Sequence, residues 1–223
     1  MIDPRSKFLV QNALGARTTD LAVRLLFGAR SRLQEPTGVV LFTDEWLPYD
    51  SLFPQVFGRP YQPKRQGRRG RLPRLQYRIP RTSGHVRIIK TYHGKRVTDI
   101  RIERAAGSQR RIDQELESLG YTTPNTSAVE RYNGTARRMN PHQVRKSLAF
   151  ARIPHVRQTV SDLVNAVYNY CRVHRSLRVK LDEPVGRRQY VQRTPAMAIG
   201  IADTVWSVLR LLRTVVLPTP SRL

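Results

Sequence analysis

Val39-Val40-Leu41-Phe42-Thr43-Asp44 is the stretch on which the fold turns. It is a short continuous apolar run that ends in a carboxylate. Such a run marks a strand buried on both faces, as in a sheet with helices packed against it. Working outward, Pro36-Thr37-Gly38 before it reads as a loop, and Pro48 to Phe57 after it reads as a short helix stopped by Gly58. Further upstream, Thr18 or Thr19 caps a helix that runs to about Leu33, with Leu21, Ala22, Leu25, Leu26, Ala29 and Leu33 as its apolar stripe. Lys7 to Leu14 reads as a strand, entered through the turn Asp3-Pro4-Arg5-Ser6 and ended by Gly15. Strand, helix, buried strand, helix is α/β logic.

The charge of the chain narrows its partners. Forty Lys and Arg face 16 Asp and Glu over 223 residues, for a net charge of +24. Such a surplus repels itself unless a polyanion is present. Nucleic acid is the expected partner, because neutralising phosphates releases condensed counterions. No run of about 18 apolar residues suggests a membrane span, and Met1-Ile2-Asp3-Pro4-Arg5 has no apolar signal core. Cys171 is the only cysteine. It excludes an internal disulfide and a cysteine-based zinc site, and it fits a reducing, cytoplasmic setting.

The rest of the chain divides by composition. Tyr61 to Arg81 holds eight Lys and Arg and no acid, broken by Gly and Pro, and reads as a loop or solvated arm. His85 to Ala105 reads as a β-hairpin turning at Gly94-Lys95, and Gln109 to Leu119 as a short helix. Val144 to Arg152 is an amphipathic candidate. Val160 to Val173 is a clear late helix, closed by His174-Arg175-Ser176-Leu177-Arg178. Thr194-Pro195 opens a further helix with Pro at its first position, and Val205 to Val216 is a last amphipathic segment. The expected parts are therefore 1–60, 61–120, 121–180 and a helical tail over 181–223.

Asn125-Thr126-Ser127-Ala128-Val129-Glu130-Arg131-Tyr132-Asn133 opens another helix, since short side-chain oxygens favour the N-cap. Glu130, Asn133 and Arg137 share one of its faces. Two readings of Glu130 stand side by side. Ser127-x-x-Glu130 can be a capping box in which the carboxylate only closes the helix start. Alternatively, Glu130 joins Asp3 and Asp44. Carboxylates leaving adjacent strands, with a third on a helix crossing that edge, make a hard oxygen site for Mg²⁺ or Mn²⁺. Two such ions can activate a nucleophilic oxygen and stabilise the leaving oxygen of a phosphodiester.

These pieces together resemble the DDE transposases of bacterial insertion sequences. The likeness rests on Ile2-Asp3-Pro4-Arg5-Ser6-Lys7 with Gly15-x-Arg17-Thr18, on Phe42-Thr43-Asp44 with Tyr49, and on Asn125-Thr126-Ser127-x-Val129-Glu130-Arg131-x-Asn133-x-Thr135. Tyr168-Asn169-Tyr170-Cys171-Arg172-Val173-His174-Arg175-Ser176-Leu177-Arg178 and Thr194-Pro195-Ala196-Met197 agree with it. The resemblance implies a ribonuclease H-like mixed sheet flanked by helices, with a basic loop and hairpin insertion and a helical C-terminal part. It implies that Asp3, Asp44 and Glu130 are the catalytic, metal-binding triad, with two Mg²⁺ or Mn²⁺ ions. It implies cleavage of DNA at the element ends and strand transfer, by a homodimer or larger assembly on DNA, associated with the nucleoid.

Lys64, Arg65, Arg68, Arg69 and Arg71 in the arm, and Arg131, Asn133, Arg137 and Arg138 on the helix, are the candidate DNA contacts. Only Met1 and Ile2 precede Asp3, so the family's first strand and its separate DNA-binding region are expected to be missing. Two other functions fit the charge. One is a basic nucleic-acid-binding protein without chemistry, and the other is an RNA-binding structural protein of ribosomal type.

Overall fold

The structure is a computed structural model that describes residues 1–35, 37–65, 71–144, 148–149 and 151–214. The chain divides into two units. The first holds Met1 and Val10–Glu130, and the second holds Ile2–Leu9 with the described residues from Arg131 onward.

In the first unit, helix α1 spans Thr19–Arg30 and is capped by the Thr18 hydroxyl, which accepts from the Leu21 N–H. Strand β1 (Val40–Thr43) follows, then helix α2 (Pro48–Phe57) with Pro48 in its first turn. Both match the sequence expectation. The basic arm is not a bare loop. Its base is a ribbon in which β2 (Arg59–Tyr61) pairs antiparallel with β3 (Gln76–Arg78). Cross-strand contacts explain why so basic a segment pairs at all: the Tyr61 hydroxyl donates to Gln76 Oε1, and the Arg78 guanidinium lies 5.3 Å from the centre of the Tyr61 ring.

Strands β4 (Gly84–His93) and β5 (Arg96–Gly107) form the expected hairpin through Gly94, whose φ of 60° suits the turn. Helix α3 (Gln109–Leu119) ends on Gly120 in the left-handed conformation. The sheet is small and mixed. Its order is β1-β4-β5, with β1 parallel to β4 and β4 antiparallel to β5. Ala22, Leu26, Leu41, Leu52, Phe53, Val56 and Phe57 make one core, from β1, α1 and α2. Val86, Ile112 and Leu116 make a second with Val40 and Phe42, from β1, β4 and α3. The apolar run around Leu41 is continuous because each face of the strand has its own helices to meet.

In the second unit, the expected strand over Lys7 to Leu14 is reduced to one antiparallel bridge, Ile2 to Leu9. Beyond the bridge the Val10 and Gln11 N–H groups both converge on the Met1 carbonyl, so no regular ladder continues. Helix α4 (Ser127–Met139) crosses from one unit to the other after Glu130 and buries Tyr132, Thr135 and Ala136. Helix α5 (Pro154–Tyr170) begins six residues earlier than expected, because Pro154 at its first position is already set for a helix. Leu9, Tyr132, Ala136 and Tyr168 form the core here, with Ile2 against it.

The helical tail is corrected. β6 (His174–Val185) and β7 (Arg188–Arg193) form an antiparallel hairpin turning at Gly186, φ 59°. Leu177, Val179 and Leu181 alternate with polar residues, and that period of two is a strand signal. Helix α6 (Pro195–Ala198) has Thr194 as its cap, as expected, and α7 (Val208–Arg213) is a short last helix.

Of the Val144 to Arg152 candidate, residues 145–147 and 150 lie outside the described residues, and those described are not helical. Pro36 and Val215 onward, which take in Val216, also lie outside them. No helix among the described residues is long and apolar enough to cross a membrane.

Candidate active site and nucleic-acid interface

Asp44 leaves the carboxyl end of β1 and is exposed. Its Oδ2 accepts from Arg17 Nη2 at 2.8 Å, and its Oδ1 from the Trp46 N–H at 3.4 Å. The same guanidinium lies 5.1 Å from the centre of the Trp46 ring, which meets Tyr49 edge-on at 5.2 Å. Burial, with Asp44 nearby, pushes the Tyr49 hydroxyl up to about 12. Arg17, Trp46, Leu47, Arg87, Arg101 and Glu103 border an open depression beside Asp44.

Glu130 stands in the first turn of α4, exposed on the end of the helix that favours an anion. In a capping box the Ser127 hydroxyl would accept from the Glu130 N–H, and the carboxylate would turn back to the backbone of Ser127. Here the Ser127 hydroxyl donates to Asn125 Oδ1 at 2.6 Å, and the Glu130 N–H donates to the Thr126 carbonyl at 3.1 Å. The Glu130 carboxylate instead accepts from Lys90 Nζ and, at 2.9 Å, from the Thr126 hydroxyl. These two hydrogen bonds hold it below the usual carboxylate range, Lys90 being the larger cause.

Register relates the two acids. Thr43 pairs with Arg87, and β4 runs parallel to β1. Lys90, three residues beyond Arg87, therefore lies past the end of β1 from which Asp44 emerges. Both carboxylates belong to that end of the sheet, each neutralised by its own cation. The structure does not gather them further: no three His, Cys, Asp or Glu side chains among the described residues come close enough to hold one metal ion. Asp3 lies in the second unit, and its carboxylate closes the local turn, accepting from the N–H groups of Arg5 (3.2 Å) and Ser6 (2.9 Å) and from the Ser6 hydroxyl. All three acids are hard oxygen donors of the type that suits Mg²⁺ or Mn²⁺.

Of the candidate DNA contacts, Lys64, Arg65, Arg71, Arg131, Asn133, Arg137 and Arg138 are all exposed. Arg68 and Arg69 lie outside the described residues.

One group beneath Asp44 escapes the sequence reading. His85 on β4 is wholly buried and stacks on Phe53, with ring centres 5.1 Å apart. Its Nε2 is 2.9 Å from Thr43 Oγ1, and its Nδ1 faces Asp50 Oδ1 at 3.5 Å. Arg87 joins Asp50, at 2.8 Å, to Glu103. Burial, and then Arg87, push the His85 imidazole down to about 4. Thr43, next to Asp44, is thus pinned by a neutral imidazole. The signal is present in the alternation of β4: His85 and Arg87 point to one face, Val86 and Ile88 to the other.

Comparison of the chain with protein-family models, with curated proteins and with solved structures finds no match in any of the three.

Proposed function

We propose that the chain is the catalytic part of a DDE-type DNA transposase, with a ribonuclease H-like core, acting on DNA at insertion-sequence ends as a dimer or larger assembly in the nucleoid. The observation that carries this reading is the state of Glu130. Its carboxylate is exposed at the start of a helix and is not spent on a capping box. It lies over the same end of the sheet as Asp44, in a chain of net charge +24. Mere binding of phosphates gains nothing from exposed carboxylates at that place.

In this reading Asp3, Asp44 and Glu130 would hold two Mg²⁺ or Mn²⁺ ions, which supply Lewis-acid activation of the attacking oxygen and stabilise the leaving one. The chain's own residues do the rest. Thr43 and His85 fix the strand end from which Asp44 emerges. Exposed cations of the arm and of α4 draw the phosphate backbone in and position it without reading bases.

A second reading has one observation in its favour. Arg17 and Lys90 neutralise Asp44 and Glu130, which leaves a basic surface suited to binding nucleic acid without chemistry. Asp44→Asn and Glu130→Gln separate the two. If the enzyme reading holds, each abolishes Mg²⁺-dependent nicking of DNA while affinity for DNA stays equal or rises, because a negative charge near the phosphates has gone. Nicking by either variant at the parent rate would end the catalytic assignment.

A further inference from the structure

A cluster of basic side chains in the second unit joins one candidate DNA contact, Arg131, to three residues that the reading above does not use. Lys7 has φ 61°, and it is the one non-glycine with positive φ among the described residues. A long side chain is held in that strained region only where its surroundings impose it. Leu9, two residues on, is fixed to α5 by a reciprocal pair of hydrogen bonds. Its N–H donates to Asn169 Oδ1 at 2.9 Å, and Asn169 Nδ2 donates to its carbonyl at 3.0 Å. Lys7 is thereby held beside the C-terminal end of α5, from which Arg172 and His174 depart. The His174 ring packs edge-on against Tyr168 at 4.8 Å, and Tyr168 packs edge-on against Tyr132 at 5.1 Å. Arg131 is the neighbour of Tyr132 on α4.

Lys7, Arg131, Arg172 and His174 bring four basic side chains together here. None of them is in an ion pair among the described residues, although six pairs between a Lys or Arg and a carboxylate exist there. The Lys7 ammonium donates to the Pro4 carbonyl, and Arg172 Nη1 rests 3.5 Å from the sulfur of Met139. His174 Nε2 is buried and has no hydrogen-bond partner. The charges feel one another. Burial and then Arg131 push Lys7 down, with Asp3 opposing, while burial, Arg172 and Lys7 push His174 down. A helix C-terminus alone would favour a protonated imidazole, so stabilising the end of α5 does not account for the cluster.

We propose that Lys7, Arg131, Arg172 and His174 form a cradle for a phosphate group of the nucleic-acid backbone. Two guanidiniums can grip phosphate oxygens in bidentate fashion, the ammonium adds a point charge, and His174 Nε2, when it carries a proton, can donate to a third oxygen. The proposal rests on the nucleic-acid reading of the chain and not on its catalytic part.

The test uses the full chain and follows the His174 imidazole Cε1–H signal by NMR. Inorganic phosphate is added in one arm and a short DNA duplex in the other. Both should move the signal, and Arg172→Gln and Lys7→Gln should each weaken duplex binding about tenfold, as expected when one charge-assisted hydrogen bond is removed. An unchanged His85 signal shows that the variants remain folded. A His174 signal unmoved by the duplex overturns the cradle, and so does movement with inorganic phosphate alone, since the ligand would then be the free ion. Duplex binding undiminished in both variants overturns it as well. Nicking of DNA, measured alongside, keeps the two proposals apart: nicking with an unmoved His174 sinks the cradle only, and a moved His174 without nicking sinks only the catalytic reading.

Discussion

Acidifying the protein from about pH 7 to about pH 5 should unfasten the first unit through a single side chain, His85. Its ring is wholly buried against Phe53, between Thr43 on one side and Asp50 on the other, with Arg87 next to it on β4. Protonation could add an ion pair with Asp50, but Arg87 already holds that carboxylate at 2.8 Å and repels a second cation. Burial and Arg87 set the imidazole at about 4 in the fold, against 6.5 for an ordinary histidine. The unfolded chain therefore binds a proton that the folded chain refuses. Stability from this source is fully present above about pH 6.5 and is lost as pH falls toward about 4. Between about pH 7 and pH 5 the loss is about 2 kcal/mol, which is large against a usual total of about 5–15 kcal/mol.

Urea unfolding followed by Trp46 fluorescence, in a Trp206→Phe background so that only the first unit reports, measures this loss directly. His85→Gln keeps a polar side chain opposite Thr43 but cannot titrate, so its stability should change far less over the same interval. A slope that is the same in the parent and in His85→Gln would refute the buried neutral imidazole. It would also remove the pinning of Thr43 from the account of the site.

Neutralising Arg65, Arg71, Arg74 and Arg81 should weaken DNA binding evenly across sequences and flatten its salt dependence by roughly 0.9 for each phosphate no longer neutralised; a change in sequence preference at constant salt slope would contradict this. Asn169→Ala leaves the buried N–H and carbonyl of Leu9 unpaired and should cost the second unit about 2–5 kcal/mol, read by chemical denaturation with Trp206 as the probe. Gly107→Ala should destabilise the first unit strongly, because φ is +85° there and an added Cβ would lie 2.1 Å from the Ser83 carbonyl oxygen; melting at the parent temperature would show that the backbone around Gly107 can relax.

The first unit is legible in the sequence because its signals are local. Thr18 caps α1, Pro48 and Gly58 bracket α2, Gly94 turns the hairpin, and Gly120 ends α3. What the sequence hides depends on partners distant in the chain. Gln76 to Arg78 forms a strand only because Arg59 to Tyr61 lies beside it, so composition alone reads the whole arm as solvated. The β6–β7 hairpin is hidden for another reason. Its alternation of Leu177, Val179 and Leu181 is diluted by arginines and interrupted by Pro184, so the segment reads as a helix end followed by a helical tail.

The site shows the same division. Residue types and helix ends place Asp44 at a strand end and Glu130 at a helix start, but no spacing reveals Arg17 and Lys90 as their partners. Those partners follow from a general constraint. An exposed carboxylate in a chain with 40 Lys and Arg does not stay alone; a neighbouring cation lowers its energy unless something stronger competes. The question at Asp44 and Glu130 is therefore which cation wins. Exposed ion pairs contribute only about 0–1 kcal/mol, so Arg17 and Lys90 are weak occupants: Asp44 is 56% exposed in its pair and Glu130 58% in its own. If the proposed metal-binding role holds, a divalent ion would displace them at little cost and free the guanidinium and ammonium for phosphates. Removing them makes this measurable. Arg17→Gln with Lys90→Gln should raise apparent Mg²⁺ affinity and lower DNA affinity in the same protein, and a double variant that moves neither would show that the two cations do not guard these carboxylates.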